Sequence, residues 1–364
     1  MSRGPILVMA GGTGGHVFPG LAVARALRDA GVPVAWLGTR RGLEARLVPA
    51  AGIRISYISV GGLRGKGWMT RVLAPFRLAW ALVQSLAVML RTRPRTVLGM
   101  GGFVTGPAGL AAWLTRRRLV IHEQNAIAGL TNRILARFAD QVLEAFPGSF
   151  PNRDGVVAVG NPVRPEIAAL RDPAQRLGGR TGRPRLLIFG GSQGAMRLNE
   201  IVPAALATLP EEIRPEIIHQ TGERTLETAR ESYRATGVAA DIRPFIDDMA
   251  AAYEWADLAI CRAGALTVTE LAAAGLGAVL IPFPAAVDDH QTRNAEFLVR
   301  AGAARIIKES ELSPAGLAEV LRPMLADPEE RRRMALAARS VARPDALERI
   351  VRICLQAREE NDRG

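Results

Sequence analysis

Short apolar runs that end in glycine and restart as helices recur along this chain, and few folds accept that pattern. Residues 6–10, 34–37, 53–60, 96–100 and 119–121 each read as a buried strand, with a helix predicted over 21–30 after the first. Strands alternating with helices imply a parallel sheet with helices on both faces. The pattern restarts at residue 186, with strands predicted over 186–189, 216–219, 242–245, 258–261 and 278–283 and a helix over 197–206. Between the halves, 147–165 is rich in Pro, Gly and Asn and carries one last strand over 156–159, which puts the boundary near residue 162. An internal echo points to two similar domains: Arg93-Pro94-Arg95 leads one apolar strand into Gly101-Gly102, and Arg183-Pro184-Arg185 leads another into Gly190-Gly191. In the tail, 344–360, Leu347, Ile350, Val351, Cys354 and Leu355 fall at helical spacing, so the chain is expected to close with an amphipathic helix.

At 364 residues the chain has room for two domains of roughly 100–200 residues. Hydrophobic residues at 48% and charged ones at 23% exclude a disordered or fibrous chain. Cys261 and Cys354 form no CxxC or Cys/His ligand spacing, so a reducing compartment is expected. Net charge is +12 and lies on one side: residues 1–162 hold 20 basic and 6 acidic residues, the remainder 27 and 29. That asymmetry suits nucleic acid, an anionic membrane or a polyanionic substrate as partner of the first half. Nucleic acid is disfavoured, because no recognisable binding motif is present and aromatic residues are 5% of the chain. No secretory signal is apparent, since the apolar start runs into glycines. The uncharged run 96–115 reaches the ~20 residues of a membrane span but contains five Gly and a Pro, and no transmembrane helix is predicted.

Three strand-to-helix turns are built from glycine: Gly11-Gly12-Thr13-Gly14-Gly15-His16, Gly99-Met100-Gly101-Gly102, and Gly190-Gly191-Ser192-Gln193-Gly194. Such turns let the backbone approach a ligand, and the free N–H groups at a helix start favour an anion. In any one of them glycine could equally serve close strand–helix packing. A dinucleotide dehydrogenase would place an acidic residue at the end of the second strand, where this chain has Leu37-Gly38-Thr39-Arg40, and the first turn carries no P-loop lysine. Composition and spacing thus reach two Rossmann-like domains binding a phosphorylated ligand in a cleft, with nucleotide-sugar chemistry the better fit.

The runs GGTGGHVFPGLAVA from Gly11, GGFVTGP from Gly101, HEQNAIAGLTNR from His122, GNPVR from Gly160, GGSQGA from Gly190, FIDDMAAAYEWAD from Phe245 and CRAGALTVTELAAAG from Cys261 resemble the MurG family, in family order and over nearly the whole chain. The family comprises peptidoglycan N-acetylglucosaminyltransferases of the GT-B fold. The resemblance implies transfer of N-acetylglucosamine from UDP to the 4-hydroxyl of the muramoyl sugar of lipid I, with inversion, forming lipid II. It implies an acceptor- and membrane-binding domain over 1–162, a UDP-sugar-binding domain over 163–340, and a C-terminal helix within 341–364 packing back on the first. Work at the cytoplasmic side of the bacterial inner membrane, beside other cell-wall synthesis proteins, follows from the same resemblance.

Such a reaction needs a base, stabilisation of the leaving diphosphate, and contacts that read the nucleotide and sugar. His16, in the first turn beside Thr13, Gly14 and Gly15, is the first candidate for the base, the alternative being a histidine that binds phosphate or caps the helix. His122 and Glu123 are the second candidates, or else part of a capped loop, and Asn125 resembles a family residue that meets donor sugar or phosphate. No D-x-D pair is present, and no metal or cofactor is expected. The diphosphate is assigned to the turn holding Ser192 and Gln193, to Arg164 and to Arg262, although Arg164 could instead form a linker ion pair. The family pattern assigns the backbone at Ile246 to uracil and Glu270 to the ribose; a carboxylate within apolar 265–274 would be costly without a partner. Ala265, Leu266, Thr267, Val268 and Thr269 would present that helix start to the donor. Gln291 and Asn294 would read sugar hydroxyls, and Asn199 is a further candidate. Two departures stand out: His290-Gln291 replaces the family's paired glutamines, and Phe103 replaces a common tyrosine.

A helix predicted over 75–91 carries Phe76, Trp80, Val83, Ala87 and Leu90 on one stripe and Leu78, Leu82 and Met89 on another. One stripe can face the core and the second is surplus. With Arg64, Lys66, Arg71, Arg77, Arg91, Arg93, Arg95, Trp113 and Arg116 to Arg118 nearby in sequence, the expected partner is an anionic leaflet. Burial of both stripes is the alternative. Two further functional readings remain at this level: a UDP-N-acetylglucosamine 2-epimerase of similar fold, and a nucleotide-sugar-binding subunit of a membrane transferase.

Overall fold

A computed structural model describes residues 4–61, 73–151, 153–191, 194–284 and 289–356. The chain divides into two compact units, Met1–Pro162 with Asp345–Gly364, and Val163–Pro344. Each is a wholly parallel sheet with helices on both faces, the α/β architecture of a GT-B domain.

In the first unit seven strands run in the order β3-β2-β1-β4-β5-β6-β7. They are β1 Ile6–Met9, β2 Val34–Gly38, β3 Arg54–Tyr57, β4 Thr96–Gly99, β5 Arg118–Glu123, β6 Gln141–Glu144 and β7 Val156–Ala158. One face packs its core of Leu7, Met9, Val97 and Ile121 against helices Ala74–Thr92, Thr105–Leu114 and Leu130–Leu135. The opposite face packs Ile6, Val8, Leu98 and Val120 against helix Gly14–Asp29 and the final helix Ala346–Leu355. Ile350 and Cys354 of that final helix are fully buried there, and Arg118 donates to the Ile353 carbonyl at 2.5 Å. The strand order reverses between β1 and β4, so the crevice past their C-terminal ends is where an open sheet places its ligand. Two of the glycine turns lie at that point.

The second unit repeats the plan with β10-β9-β8-β11-β12-β13: β8 Arg185–Phe189, β9 Glu216–Gln220, β10 Asp241–Arg243, β11 Leu258–Cys261, β12 Gly277–Leu280 and β13 Ala304–Ile306. Its reversal falls between β8 and β11, directly before the third glycine turn and the Arg262–Gly264 loop.

Several bounds differ from the sequence reading for physical reasons. The first helix starts at Gly14, inside the glycine turn, rather than at 21. Strand β10 stops at Arg243 because Pro244 cannot donate to the ladder, and β12 stops at Leu280 short of Pro282. Strands β6 and β13 carry no period long enough to read, having four and three residues.

Candidate active site

At the first turn Thr13 is extended and caps nothing with its side chain, and no acidic residue occupies the first turn of helix Gly14–Asp29. No side chain caps the first-turn amides of that helix, the arrangement an anion would need there. Two amides of the turn are engaged, that of His16 by the Thr13 carbonyl at 3.2 Å and that of Gly12 by a side chain. Gly12 donates to Glu44 Oε2 at 3.0 Å, while Glu44 Oε1 accepts from the Thr39 amide at 2.9 Å and its hydroxyl at 2.7 Å. Glu44 is fully buried, and a Cβ at Gly11, Gly38 or Gly42 would come within 2.7, 2.6 or 2.0 Å of it. Sequence reasoning passed over this carboxylate, because nothing local joins residue 44 to residues 12 and 39.

Gly101 and Gly102 of the second turn are accounted for by packing on the first. A Cβ at Gly102 (φ +87°) would lie 2.3 Å from the Gly11 carbonyl, and one at Gly101 (φ +98°) 2.7 Å from His16 Nδ1. His16 is half-buried in the space so left. Its Nδ1 lies 2.9 Å from Gln124 Oε1, Gln124 Nε2 lies 2.9 Å from His122 Nδ1, and His122 Nε2 lies 2.9 Å from the Gly160 carbonyl. Asn161 donates to the Gln124 carbonyl at 3.0 Å, so the GNPVR segment holds the loop from behind.

His122 and Glu123, the second candidates for the base, are both held by hydrogen bonds within the loop. His122 is fully buried with both ring nitrogens engaged, and burial pulls its pKa down to about 4. Glu123 is buried and accepts four hydrogen bonds: from Asn125 N and Nδ2 at 3.0 and 3.1 Å, Gly129 N at 3.1 Å and Asn132 Nδ2 at 2.9 Å. These groups shape the loop; His16 keeps a half-open imidazole. Asn125 is bound into the same loop through Glu123.

In the second unit Arg164 Nε donates to Glu270 Oε1 at 3.0 Å and the Tyr253 hydroxyl to Glu270 Oε2 at 3.2 Å. Glu270 is 17% exposed, and burial raises its pKa against the pull of Arg164. The partner required for a carboxylate in that apolar stretch is Arg164 together with Tyr253. Helix Ala265–Ala274 starts after extended Gly264 without a side-chain cap, leaving first-turn amides for a ligand. Ala265 and Val268 side chains are buried and Thr269 bonds back to the Ala265 carbonyl at 2.8 Å, so these residues can offer backbone, whereas Leu266 and Thr267 are half-exposed. Ile246 is likewise buried and offers only main chain.

Three further candidate side chains already have partners. Arg262 bonds the carbonyls of Ile281 and Pro282 at 3.2 and 3.3 Å, pairs with Glu309 and stacks over Phe283 at 5.4 Å, so it braces the loop. Asn294 is fully buried and holds the Ala263 carbonyl at 3.2 Å. Asn199 is also fully buried and ties the carbonyls of Thr221 and Thr225 at 3.2 and 3.4 Å. Gln291 accepts from the amides of Ala263 and Phe283 at 3.2 and 2.9 Å, which fixes its amide oxygen toward the Arg262–Gly264 loop. Ser192 and Gln193 lie outside the described residues, as do Arg64, Lys66 and Arg71. Among the described residues no group of three or more His, Cys, Asp or Glu is placed to hold a metal ion.

On helix Ala74–Thr92 the core side is Ala81, Ser85, Val88 and Met89. Phe76, Trp80, Val83, Ala87 and Leu90 all lie exposed on one stripe, Phe76 by 73%, and Leu78 is exposed beside them. Arg118 is removed from the basic rim because it is buried on Ile353, and Trp113 is half-buried against Phe138. Among the described residues no helix is long and apolar enough to cross a membrane.

Residues 6–144 match the glycosyltransferase family 28 N-terminal domain and residues 185–350 its C-terminal domain. The chain belongs to glycosyltransferase family 28. Within the family it is 59% identical, over 97% of this chain and 98% of the relative, to the UDP-N-acetylglucosamine–N-acetylmuramyl-(pentapeptide) pyrophosphoryl-undecaprenol N-acetylglucosamine transferase of Alkalilimnicola ehrlichii. It is 57% identical, over 98% of each chain, to the transferase of the same name from Marinobacter nauticus. The crystal structure of Acinetobacter baumannii MurG superposes with a TM-score of 0.86 at 42% identity, covering 97% of this chain and 99% of that one. In this family 28 chain the N-terminal match covers strands β1 to β6 of the first sheet and the C-terminal match covers the whole of the second.

Proposed function

We infer that this chain transfers N-acetylglucosamine from UDP-N-acetylglucosamine to the 4-hydroxyl of the muramoyl sugar of lipid I, inverting the anomeric carbon and forming lipid II. Near-full-length kinship with transferases named for that donor and acceptor carries the reading. His16 takes the proton of the attacking hydroxyl as the new C–O bond forms. The bond from the anomeric carbon to UDP breaks, and its electron pair leaves with the diphosphate. Arg164 and the amides of the third glycine turn receive that charge, without a metal ion. Glu270, fixed by Arg164 and Tyr253, accepts from the ribose hydroxyls, the backbone at Ile246 meets uracil, and Gln291 donates to the sugar. A 2-epimerase would need the same donor but no lipid acceptor.

The acceptor lies in a lipid leaflet, and the exposed stripe of helix Ala74–Thr92, flanked by exposed Arg77 and Arg91, supports docking of the first unit on the cytoplasmic face of the plasma membrane. The test is incubation with labelled UDP-N-acetylglucosamine, with and without a lipid I analogue, in EDTA. Label appearing on the lipid is the expected result. Sugar epimerised without regard to lipid would instead identify an isomerase, and no turnover even with divalent metal restored would indicate a binding subunit.

A further inference from the structure

His16 can act as a base only through a ring nitrogen that carries a lone pair, and which nitrogen that is depends on what its other nitrogen faces. The hydrogen-bond chain behind it leaves one consistent assignment. The Gly160 carbonyl can only accept, so His122 Nε2 must carry the proton of that 2.9 Å contact. His122 is fully buried and neutral, so its Nδ1 is an acceptor and must receive from Gln124 Nε2. The same amide nitrogen lies 3.2 Å from the His122 carbonyl, which also only accepts, so the orientation of the Gln124 amide is fixed twice. Its oxygen is thereby turned to His16 Nδ1 at 2.9 Å, and an oxygen there requires Nδ1–H. Gly101 is part of the device, since a side chain there would displace the His16 ring.

We propose that Gln124, backed by His122 and the Gly160 carbonyl, is a positioning residue that holds His16 in the Nδ1–H tautomer, so that Nε2 presents its lone pair to the acceptor hydroxyl. The proposal rests on His16 being the base. When Nε2 takes the proton the ring becomes an imidazolium, and Gln124 Oε1 already accepts from the nitrogen opposite. Free imidazole side chains favour the Nε2–H form, which would leave no lone pair toward the substrate. The hydrogen-bond chain therefore reverses an intrinsic preference.

The chain has four histidines, so full-length protein labelled with 15N-histidine gives a spectrum in which His16 is identified by its loss in His16→Asn. At pH 8 wild-type His16 is expected to show a protonated Nδ1 and an unprotonated Nε2. Gln124→Ala should move the proton to Nε2 and lower kcat roughly 100-fold, with KM for UDP-N-acetylglucosamine within about twofold. Gln124→Glu keeps an acceptor toward Nδ1 and should restore the Nδ1–H form and part of kcat. A wild-type proton on Nε2, or a tautomer unmoved in Gln124→Ala, overturns the proposal. If the tautomer moves while kcat stays, the hydrogen-bond chain stands and His16 is not the base, which separates the two readings. Should neither Gln124 variant fold, the wild-type spectrum alone decides.

Discussion

Glu123 receives four donors on two oxygens, two of them backbone amides of the 125–129 loop. Glu123→Gln would turn an –NH2 toward donors, so a loss of about 2–3 kcal/mol in urea unfolding is expected, together with lower kcat. A base at this position would give a changed acid limb of the rate profile instead, with stability unmoved. His122 and His219 offer a second test. Burial brings them from 6.5 down to about 4 and about 3, so the unfolded chain takes up protons that the folded one refuses. Stability from these groups is complete above pH 6.5 and is lost as pH falls, by about 1.4 kcal/mol per unit and per histidine until the folded value is reached. His219→Gln should make the acid slope of the unfolding free energy from urea titrations shallower by one histidine's share; an unchanged slope would remove His219 from the account. The same residues show what the sequence could disclose. Glu270 was readable because a lone carboxylate among apolar neighbours needs a partner. Asn199, Asn294 and Arg262 are polar residues near glycine turns too, yet tertiary contacts bury them on carbonyls, which no local pattern records. Glu44 was invisible for the converse reason, its partners lying 32 and 5 residues away.

Two helices of the second unit end on one side chain. Arg176, buried, donates to the Tyr253 and Ala256 carbonyls at 2.6 and 3.1 Å and to those of Ala274 and Gly275 at 3.2 and 2.5 Å. It thus satisfies the carbonyl ends of helices Met249–Trp255 and Ala265–Ala274, which carry Tyr253 and Glu270. Arg176→Met should cost about 3–5 kcal/mol in denaturant unfolding and weaken UDP binding through Glu270. Arg176→Lys should rescue little, because an ammonium lacks the guanidinium's fixed fork. For helix Ala74–Thr92, replacing Phe76, Trp80 and Leu90 by serine should lessen sedimentation with anionic vesicles at least tenfold while turnover of a short-chain soluble acceptor stays within twofold. Equal vesicle binding would remove the helix from the docking surface. Elements with long apolar periods, such as this helix, were legible; β6 and β13, whose residues are held by neighbours already in place, were not.

The first unit is made of two separate stretches of chain, and its core is complete only with Ile350 and Cys354 from the final helix. Ending the chain at Pro344 removes those side chains and the Arg118–Ile353 bond, for an expected loss of about 5 kcal/mol. In hydrogen exchange, the amides of β1 and helix Gly14–Asp29 should lose protection while those of β8 and β11 keep it; uniform protection would show that the helix is dispensable. The architecture itself followed from the repeated strand–glycine–helix pattern, but that the tail completes the first sheet's core depends on Ile350 and Cys354 joining one cluster with residues such as Leu21 and Trp36, about 300 residues earlier in the sequence, which no local pattern records. Synthesis on the ribosome gives this arrangement a temporal meaning. The unit translated first must wait for helix Ala346–Leu355 before its core can close, whereas Val163–Pro344 is contiguous and can finish on its own. The half that is born second is therefore the half that can close its core first.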